Sequence, residues 1–387
     1  MGVRVNVPCG QPMGRAGALA PARKKPGHGS HPFIPQGDFM KLGIIGLPQS
    51  GKATVFAALS GARGETPDQG GSRSEAKMVT VTVHDERIDK LSAHYRPKKT
   101  TFARIEYLLP SDIPGSSPSK AEGGLLNQVR TCDGLLLVLR NFTGSLGSAP
   151  GPEKDFRQLE DDMIVGDLVV AEKRLERIEL DQKRGKKPES KEIDLLQACR
   201  QGLEDGEPLR DMSELAREPL LKGFTFLSAK PLLAIINNED EDEAFPAWER
   251  KPEGMDFEVV RGRLEMDIAS MSSEEAEEFQ EAYNIRESAL DRIIRKSYHL
   301  LDQISFFTVG ADEVRAWSIP ARTIAVEAAA AVHTDMKKGF IRAEVVAYED
   351  FQARGGFQEA KKAGLVRLEG KEYEVKDGDI INFRFNV

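Results

Sequence analysis

A glycine-rich loop near residue 46 constrains the fold of this chain more than any other feature. The segment Gly46–Thr54 reads GLPQSGKAT and nearly matches the phosphate-loop pattern GxxxxGK[ST]. A short apolar stretch, KLGIIG at 41–46, precedes the loop, and a helix-forming stretch begins at Lys52. Strand, loop and helix in this order direct backbone N–H groups and a helix N-terminus at a phosphate. The sequence therefore predicts nucleotide binding.

The loop also identifies the residues expected to contact the phosphates. Lys52 is placed to reach the terminal phosphates, while the glycines let backbone N–H groups converge on phosphate oxygens. Ala53 occupies the position where Ser or Thr normally binds Mg²⁺, and alanine offers no oxygen, so a need for Mg²⁺ stays open. The predicted phosphate-binding residues are Gly46, Pro48, Gln49, Ser50, Gly51, Lys52, Ala53 and Thr54.

Alternating strands and helices follow the phosphate loop. A helix is predicted from Lys52 to about Leu59, and residues 272–301 are predicted to be mainly helical. Such alternation is typical of a doubly wound α/β sheet. Further apolar strands are predicted at 78–83, 95–109, 134–140 and 231–237.

Two other regions interrupt this alternation. Apolar residues recur at helical spacing from about 153 to 198, and the run KRGKKPES at 183–190 breaks them. This pattern predicts a helical hairpin that turns near Gly185. Residues 303–387 contain short strands with one helix at 325–334, which predicts a small α+β domain. Its predicted strands are ISFFTVG, EVRAWSIP, GFIRAEVV, LVRLEG, KEYEVK and DIINFRF.

Composition excludes several classes of protein. The chain carries 62 acidic and 54 basic residues, and its net charge of −8 does not suit a general coat for nucleic acid or anionic membranes. The longest tight apolar run, 135–139, is far shorter than the roughly 20 residues of a membrane span. The three cysteines show no zinc-type spacing. We therefore expect a cytoplasmic protein without a membrane partner.

The first 39 residues differ in composition from the rest of the chain. They are rich in Gly and Pro, show no periodicity and carry five basic residues against one acid, Asp38. This composition predicts a disordered extension. The alternative is a misassigned start, with translation beginning at Met40 immediately before the first strand.

Longer blocks resemble the YchF group of Obg-like ATPases, which belong to the TRAFAC class of P-loop NTPases. GIIGLPQSGKATVFAALSG at 43–61 is similar to that family's first strand, phosphate loop and helix. VTVHDERIDKLSAHYRPKKTTFARIEY at 81–107 resembles its next block. The most specific similarity is to its C-terminal TGS domain, through EVRAWSIP, HTDMKKGFIRAEVVAYEDF and RLEGKEYEVKDGDIINFRFNV. The chain is thus identified as a divergent member of this group.

The resemblance implies a complete architecture. We expect a Ras-like P-loop NTPase sheet with an inserted helical hairpin and a C-terminal α+β β-grasp (TGS) domain. The nucleotide domain is expected at 40–152 and 223–302, the hairpin at 153–222 and the TGS domain at 303–387. The family also implies nucleotide hydrolysis linked to ribosomes, with ATP accepted where relatives take GTP.

The resemblance further implies base and metal positions. The family's base motif ends a strand with NxxE, and here Asn237 and Asp240 hold the end positions as NxxD, without the lysine that guanine-binding relatives carry. The family's metal-side DxxG motif has its nearest counterpart at Asp112, three residues beyond the strand end; a turn without a metal role is the alternative. Thr66 is the candidate for the first switch threonine, and a mobile linker is the alternative.

Basic residues at the predicted hairpin tip suggest contact with RNA. Four of them are Lys183, Arg184, Lys186 and Lys187. They are suited to rRNA or tRNA phosphates, and a solubilising turn is the alternative. The main functional prediction is an ATP- or GTP-binding switch that resembles ribosome-associated YchF ATPases. The alternative is a pseudo-NTPase that docks on ribosome, RNA or protein with little or no hydrolysis.

Overall fold

The computed structural model describes residues 40–65, 76–111, 124–144, 147–187, 189–216, 218–282, 285 and 287–386. All of them belong to one compact unit of the chain, Gly37–Val387. The predicted extension at 1–39 and the two candidates Thr66 and Asp112 lie outside the described residues.

Strands and helices alternate through the first two thirds of the described chain. The strands are β1 (Lys41–Ile45), β2 (Gly64–Glu65), β3 (Lys77–Val83), β4 (Lys99–Thr101), β5 (Ala103–Leu109), β6 (Gly134–Asn141), β7 (Leu232–Asn238), β8 (Asp256–Val260), β9 (Gln303–Val309), β10 (Glu313–Pro320), β11 (Phe340–Ala347), β12 (Arg367–Glu369) and β13 (Asp379–Phe385). The α-helices are α1 (Lys52–Arg63), α2 (Glu86–Tyr95), α3 (Pro152–Lys183), α4 (Ser190–Glu204), α5 (Ser213–Ala216), α6 (Gly262–Ser270), α7 (Ser273–Ala282), α8 (Ala289–Leu300), α9 (Ala325–Val332), α10 (Thr334–Lys338), α11 (Tyr348–Arg354) and α12 (Phe357–Lys362). Short 3₁₀ segments lie at Leu209–Asp211 and Pro219–Phe224.

A seven-stranded sheet in the order β2-β3-β5-β1-β6-β7-β8 forms the first layer. β1 pairs in parallel with both β5 and β6, and β7 continues the parallel ladder to β8. The central strands are buried on both faces, as their continuous apolar sequences require. This topology brings the ends of β1, β6 and β7 to one edge of the sheet, where the phosphate loop lies.

The helical hairpin consists of α3 and α4. Helix α3 has 32 residues, which corresponds to about 48 Å at 1.5 Å per residue. Facing apolar side chains give the hairpin a core of its own, which includes Leu175 on α3 and Leu196 on α4. The connection turns at Gly185, whose positive φ of 83° is readily adopted only by glycine. None of the helices that the structure describes has the length and apolar character needed to cross a bilayer.

A second sheet in the order β12-β11-β13-β9-β10-β4 forms the C-terminal part of the chain. Its strands after β4 come from the region predicted as a small α+β domain. Helices α9 to α12 connect these strands, and the alanine-rich α9 buries Ala325, Ala328 and Ala329 against the sheet. Trp317 packs at the edge of the same cluster.

The prediction of one strand over 95–109 is wrong. This segment divides at Phe102: β4 pairs in parallel with β10 of the second sheet, whereas β5 joins β1 and β3 in the first. Side-chain contacts fix β4 to the second sheet, because Thr101 donates a hydrogen bond of 2.7 Å to Glu313. The partner strand lies more than 200 residues along the chain, so the local pattern carries no sign of the division.

Two expectations for the C-terminal region also need correction. The expected single helix at 325–334 ends at Val332, and α10, α11 and α12 are additional short helices of five to seven residues, too short to show a clear period. The predicted strand KEYEVK forms only an isolated bridge between Ile324 and Glu374. Its backbone instead bonds to the segment that leads into α9, where Ala325 N donates to Tyr373 O at 2.7 Å.

Candidate nucleotide site

The phosphate loop has a backbone conformation that is suited to anion binding. Gln49 and Gly51 adopt positive φ values of 63° and 87°, and Ser50 N donates to Leu47 O at 3.2 Å. Helix α1 begins at Lys52 directly after this turn. Alternating backbone conformations of this kind form a nest of N–H groups, and the helix dipole adds positive potential.

Both loop glycines are required by close packing. A Cβ atom on Gly46 would lie 2.6 Å from the carbonyl oxygen of Val138 in β6. A Cβ atom on Gly51 would clash with Nδ2 of Asn237 in β7. The glycine positions of the sequence pattern are therefore those at which the loop meets the neighbouring strands.

Asn237 fastens the loop to the base side of the site. Its Nδ2 donates to the carbonyl oxygen of Ser50 at 3.2 Å, and its Oδ1 accepts from the backbone N–H of Gly262 at 3.0 Å. The side chain is only 4% exposed. Since both halves of its amide are engaged by main chain, Asn237 acts as a strut between the phosphate loop and the start of α6. The sequence predicts that Asn237 contacts the nucleotide base, and the structure adds its contacts with the main chain of the loop and of α6.

Asp240 lies at the exposed end of the same segment. Its Oδ1 accepts from the backbone N–H of Leu264 at 3.3 Å, and Arg261 donates to its carbonyl oxygen at 3.4 Å. The same guanidinium pairs with Glu243 at 2.9 Å. Asp240 is thus held near the start of α6, beside Asn237, and base contact by these two residues stays a prediction.

Asn238 occupies the position that lysine holds in guanine-binding relatives. Its Nδ2 donates to the carbonyl oxygens of Asp242 and Ala244 at 2.9 and 2.8 Å. Its Oδ1 accepts from Nδ2 of Asn141 at 2.8 Å. The side chain therefore ties the loop after β7 to β6, and it does not provide the long cation that would lie over a guanine ring.

The metal side of the site is poor in oxygen ligands. Ala53 is exposed at the second residue of α1, and Leu109 and Pro110 stand where β5 ends. Among the described residues, no group of three or more His, Cys, Asp or Glu side chains could hold a metal ion. At Ala53 and Leu109, the described side chains therefore lack the oxygen atoms that P-loop NTPases usually offer to Mg²⁺.

Two residues near the loop were missed in the sequence. Phe142 follows β6, and its ring lies 3.7 Å from the position that a Cβ atom on Gly51 would occupy. Asp162 on α3 lines a narrow cavity of about 20 Å³ together with Gly46, Pro48 and Lys52. The only sequence sign of Asp162 was a carboxylate inside the apolar register of a helix, between Leu159 and Met163.

The four basic residues at the hairpin tip are exposed. Lys186 pairs with Asp181 at 3.1 Å, which lowers the pKa of that carboxyl through a hydrogen bond. This pairing offsets part of the tip's positive charge. RNA contact by Lys183, Arg184, Lys186 and Lys187 stays a prediction.

Comparison with known proteins now identifies the family. Residues 303–386 match the family model YchF-GTPase_C, described as a protein of unknown function (DUF933). The ribosome-binding ATPase YchF of Bacillus subtilis is 35% identical over 367 residues, covering 90% of this chain and 100% of that protein. The chain belongs to the YchF family. The ribosome-binding ATPase YchF of Escherichia coli O157:H7 is 36% identical over 363 residues, with 90% and 99% coverage.

Solved structures agree with this membership. The YchF GTPase of Schizosaccharomyces pombe matches with a TM-score of 0.77 at 26% identity, over 89% of this chain and 97% of that one. A GTP-binding protein from Pyrococcus horikoshii OT3 shares the fold, with a TM-score of 0.56 at 17% identity and 90% and 100% coverage. The predictions of a YchF-type family and of a P-loop sheet with a C-terminal α+β domain are confirmed. The main functional prediction, a nucleotide-binding P-loop protein resembling the YchF ATPases, agrees with these matches.

Proposed function

We propose that this YchF-family chain binds an adenine nucleotide through the loop at 46–54. The main support for this proposal is the contact of Asn237 with the loop. Asn237 holds the loop backbone in a conformation suited to anions, next to the proposed base-binding end of the site. A preformed nest and a helix N-terminus suit a phosphate group without further rearrangement. In this proposal Lys52 supplies the positive charge to the terminal phosphates.

Adenine is favoured over guanine by the side chains around Asp240. Guanine recognition needs a free carboxylate for its N1–H and N2–H₂ donors and usually a lysine over the ring. Here one carboxylate oxygen of Asp240 already accepts from Leu264, and Asn238 is engaged with the neighbouring loop. The naming of several relatives as ATPases points in the same direction.

We further propose that the chain docks on ribosomes, as the names of its bacterial relatives say of those proteins. The exposed basic residues at the turn of the hairpin are suited to phosphate contacts. In this proposal the nucleotide domain comprises 40–152 and 223–302, the hairpin comprises 153–222 and the TGS domain comprises 303–387. The tip is neutralised by Lys183→Gln, Arg184→Gln and Lys187→Gln together. This variant is expected to co-sediment with ribosomes more weakly, and its co-sedimentation should depend less steeply on salt.

Titration calorimetry with ADP, ATP and GDP tests the nucleotide proposal. We expect adenine nucleotides to bind at least about tenfold more tightly than GDP, a difference of 1.4 kcal/mol. Lys52→Ala is expected to abolish binding while leaving thermal unfolding unchanged, because Lys52 is only partly buried. Equal binding of ADP and GDP would contradict the base assignment, and no binding of any nucleotide would contradict the proposal as a whole.

A further inference from the structure

The cavity beside the phosphate loop contains an unpaired carboxylate. Asp162 lines it together with the first loop residues and Lys52, and the other walls are apolar side chains of β1, α3, the end of β5 and residues 125–126. Its Oδ2 atom is buried and has no hydrogen-bond partner among the described residues. Burial raises the pKa of the Asp162 carboxyl, and the neighbouring Asp161 adds to the shift. Buried polar atoms are nearly always paired, so this oxygen needs an explanation.

The order of the sheet places this cavity at the terminal-phosphate end of the site. Asn237 and Asp240 lie at the end of β7, on one side of β1. The cavity lies on the other side, where it is bounded by Pro110 after β5. Since the loop after β1 holds the phosphates between these two sides, the third phosphate of a nucleotide points toward β5 and the cavity.

Asp162 is held in place by the residues around it on α3. Leu159 and Met163 are buried on the same side of the helix, against the first sheet. One and a half turns further along, Asp167 accepts from Arg130 Nη1 at 2.9 Å and from the backbone N–H of Ser228 at 2.7 Å. This largely buried network fixes α3 against the sheet and thereby holds the backbone of Asp162 in place.

The balance of charge around the cavity is unfavourable for a third phosphate. Lys52 is the one cation among the described residues that line the cavity. Among the described residues, Ala53 and Leu109 offer no side-chain oxygen through which Mg²⁺ could offset the carboxylate. Over distances shorter than the Debye length of about 10 Å, salt screens the repulsion between a carboxylate and a phosphate only weakly.

We propose that Asp162 makes this site select nucleoside diphosphates over triphosphates. The inference rests on the proposed function, because it assumes that the loop holds a nucleotide. The α- and β-phosphates lie in the nest of backbone N–H groups, whereas the third phosphate meets the carboxylate of Asp162. Asp162 is therefore a specificity-determining residue that reads the number of phosphates from the hairpin side of the site.

Competition of ADP and ATP against a fluorescent ADP analogue, with EDTA and then with Mg²⁺, tests this inference. The parent chain is expected to bind ADP about tenfold more tightly than ATP. Asp162→Asn keeps the side-chain shape and removes the charge, so the ADP and ATP affinities should come within about threefold of each other. Asp161→Asn is the matched control, because Asp161 is the exposed neighbour of Asp162 and the substitution removes the same charge outside the cavity.

Each outcome decides a separate point. A changed ADP-to-ATP ratio in Asp162→Asn, with the parent ratio kept in Asp161→Asn, supports the inference. Equal affinities for ADP and ATP in the parent, or the same ratio in both variants, overturn it while leaving nucleotide binding intact. Absence of ADP and ATP binding by the parent removes the proposed function itself. Thermal melting of both variants separates a change in the site from a loss of fold.

Discussion

Two carboxylates in this molecule have opposite surroundings. Glu344 on β11 accepts from Lys361 at 2.8 Å and from Asn382 at 3.2 Å, and it also pairs with Arg384. Asp162, beside the phosphate loop, has a buried oxygen to which no described residue donates a hydrogen bond. Burial acts to raise the pKa of Glu344, but its basic partners hold it below the ordinary value, whereas burial raises the pKa of Asp162. The paired carboxylate of Glu344 stabilises the fold, whereas we assign the unpaired carboxylate of Asp162 to the proposed nucleotide site.

The same contrast extends to the surroundings of the two carboxylates. The second sheet meets the first through Arg87, which bonds to Asp85 at 3.0 Å and to Asp377 at 2.6 Å. Asp377 in turn accepts from the backbone N–H of Ser305 at 2.9 Å. At the phosphate loop, by contrast, Ser50 Oγ is buried and unpaired. Among the described residues, Ser50 Oγ thus lacks a partner beside the loop, whereas the charged groups of Arg87 and Asp377 are paired at the junction of the sheets.

The strongest test on the loop side is Gly51→Ala. The added Cβ atom would clash with Asn237, and φ of 87° is strained for alanine. We expect ADP affinity to fall by about 100-fold or more, since the nest of N–H groups is displaced. Gly185→Ala is the control: it has a similar φ of 83°, but its Cβ atom meets nothing within 4 Å. Calorimetry that shows equal ADP binding by both variants would disprove the role of the loop packing.

A matching test on the structural side is Glu344→Gln. Removing the charge weakens three contacts of a buried side chain, and we expect the free energy of unfolding at pH 7 to fall by about 2 kcal/mol. ADP affinity should not change. The control Glu369→Gln, in a more exposed pair with Arg367, is expected to cost less than about 0.5 kcal/mol. Denaturant unfolding measures both, and an equal cost would show that burial of Glu344 adds nothing.

The pKa of Glu344 gives this test a dependence on pH. Because the pKa is lower in the folded state than in the unfolded one, ionised Glu344 stabilises the fold above its unfolded value of about 4.3. That contribution is lost as the pH falls through the folded-state pKa. The parent and Glu344→Gln should therefore differ most near neutral pH and converge in acid. A constant difference down to pH 3 would assign the effect to packing instead of charge.

The sequence revealed the parts of the site that depend on local pattern. Gly46, Gly51 and Lys52 stand at fixed spacing between a strand and a helix, and both neighbouring elements have clear apolar patterns. The hairpin and the central strands were predicted for the same reason. In contrast, β4 joins a sheet whose partner strand is distant in the chain, and no local pattern shows that choice.

The rest of the site depends on contacts between distant segments. Asn237 was recognised as a base residue, but its bond to Ser50 across 187 positions was visible only in three dimensions. Asp162 belongs to the hairpin, a region with no phosphate motif, and reaches the loop because α3 packs along the sheet. Asp112 and Thr66 lie outside the described residues, so their switch and metal roles stay predictions.

The smallest expected effect comes from Ala53→Ser, which restores the oxygen that P-loop proteins use for Mg²⁺. One hydroxyl alone completes no coordination sphere, because β5 ends in Leu109 and Pro110 without a carboxylate. We therefore expect Mg²⁺ to strengthen ATP binding by about threefold in the variant and to leave it unchanged in the parent. Calorimetry with and without Mg²⁺ measures this difference, and Ala57→Ser, at another exposed position of α1, is the control. If Mg²⁺ affects ATP binding by Ala53→Ser no more than it affects binding by the parent, the missing carboxylate limits metal binding. If ATP binding by the parent already responds to Mg²⁺, other residues supply oxygen ligands. The electrostatic distinction between Asp162 and Glu344 would then lose its basis.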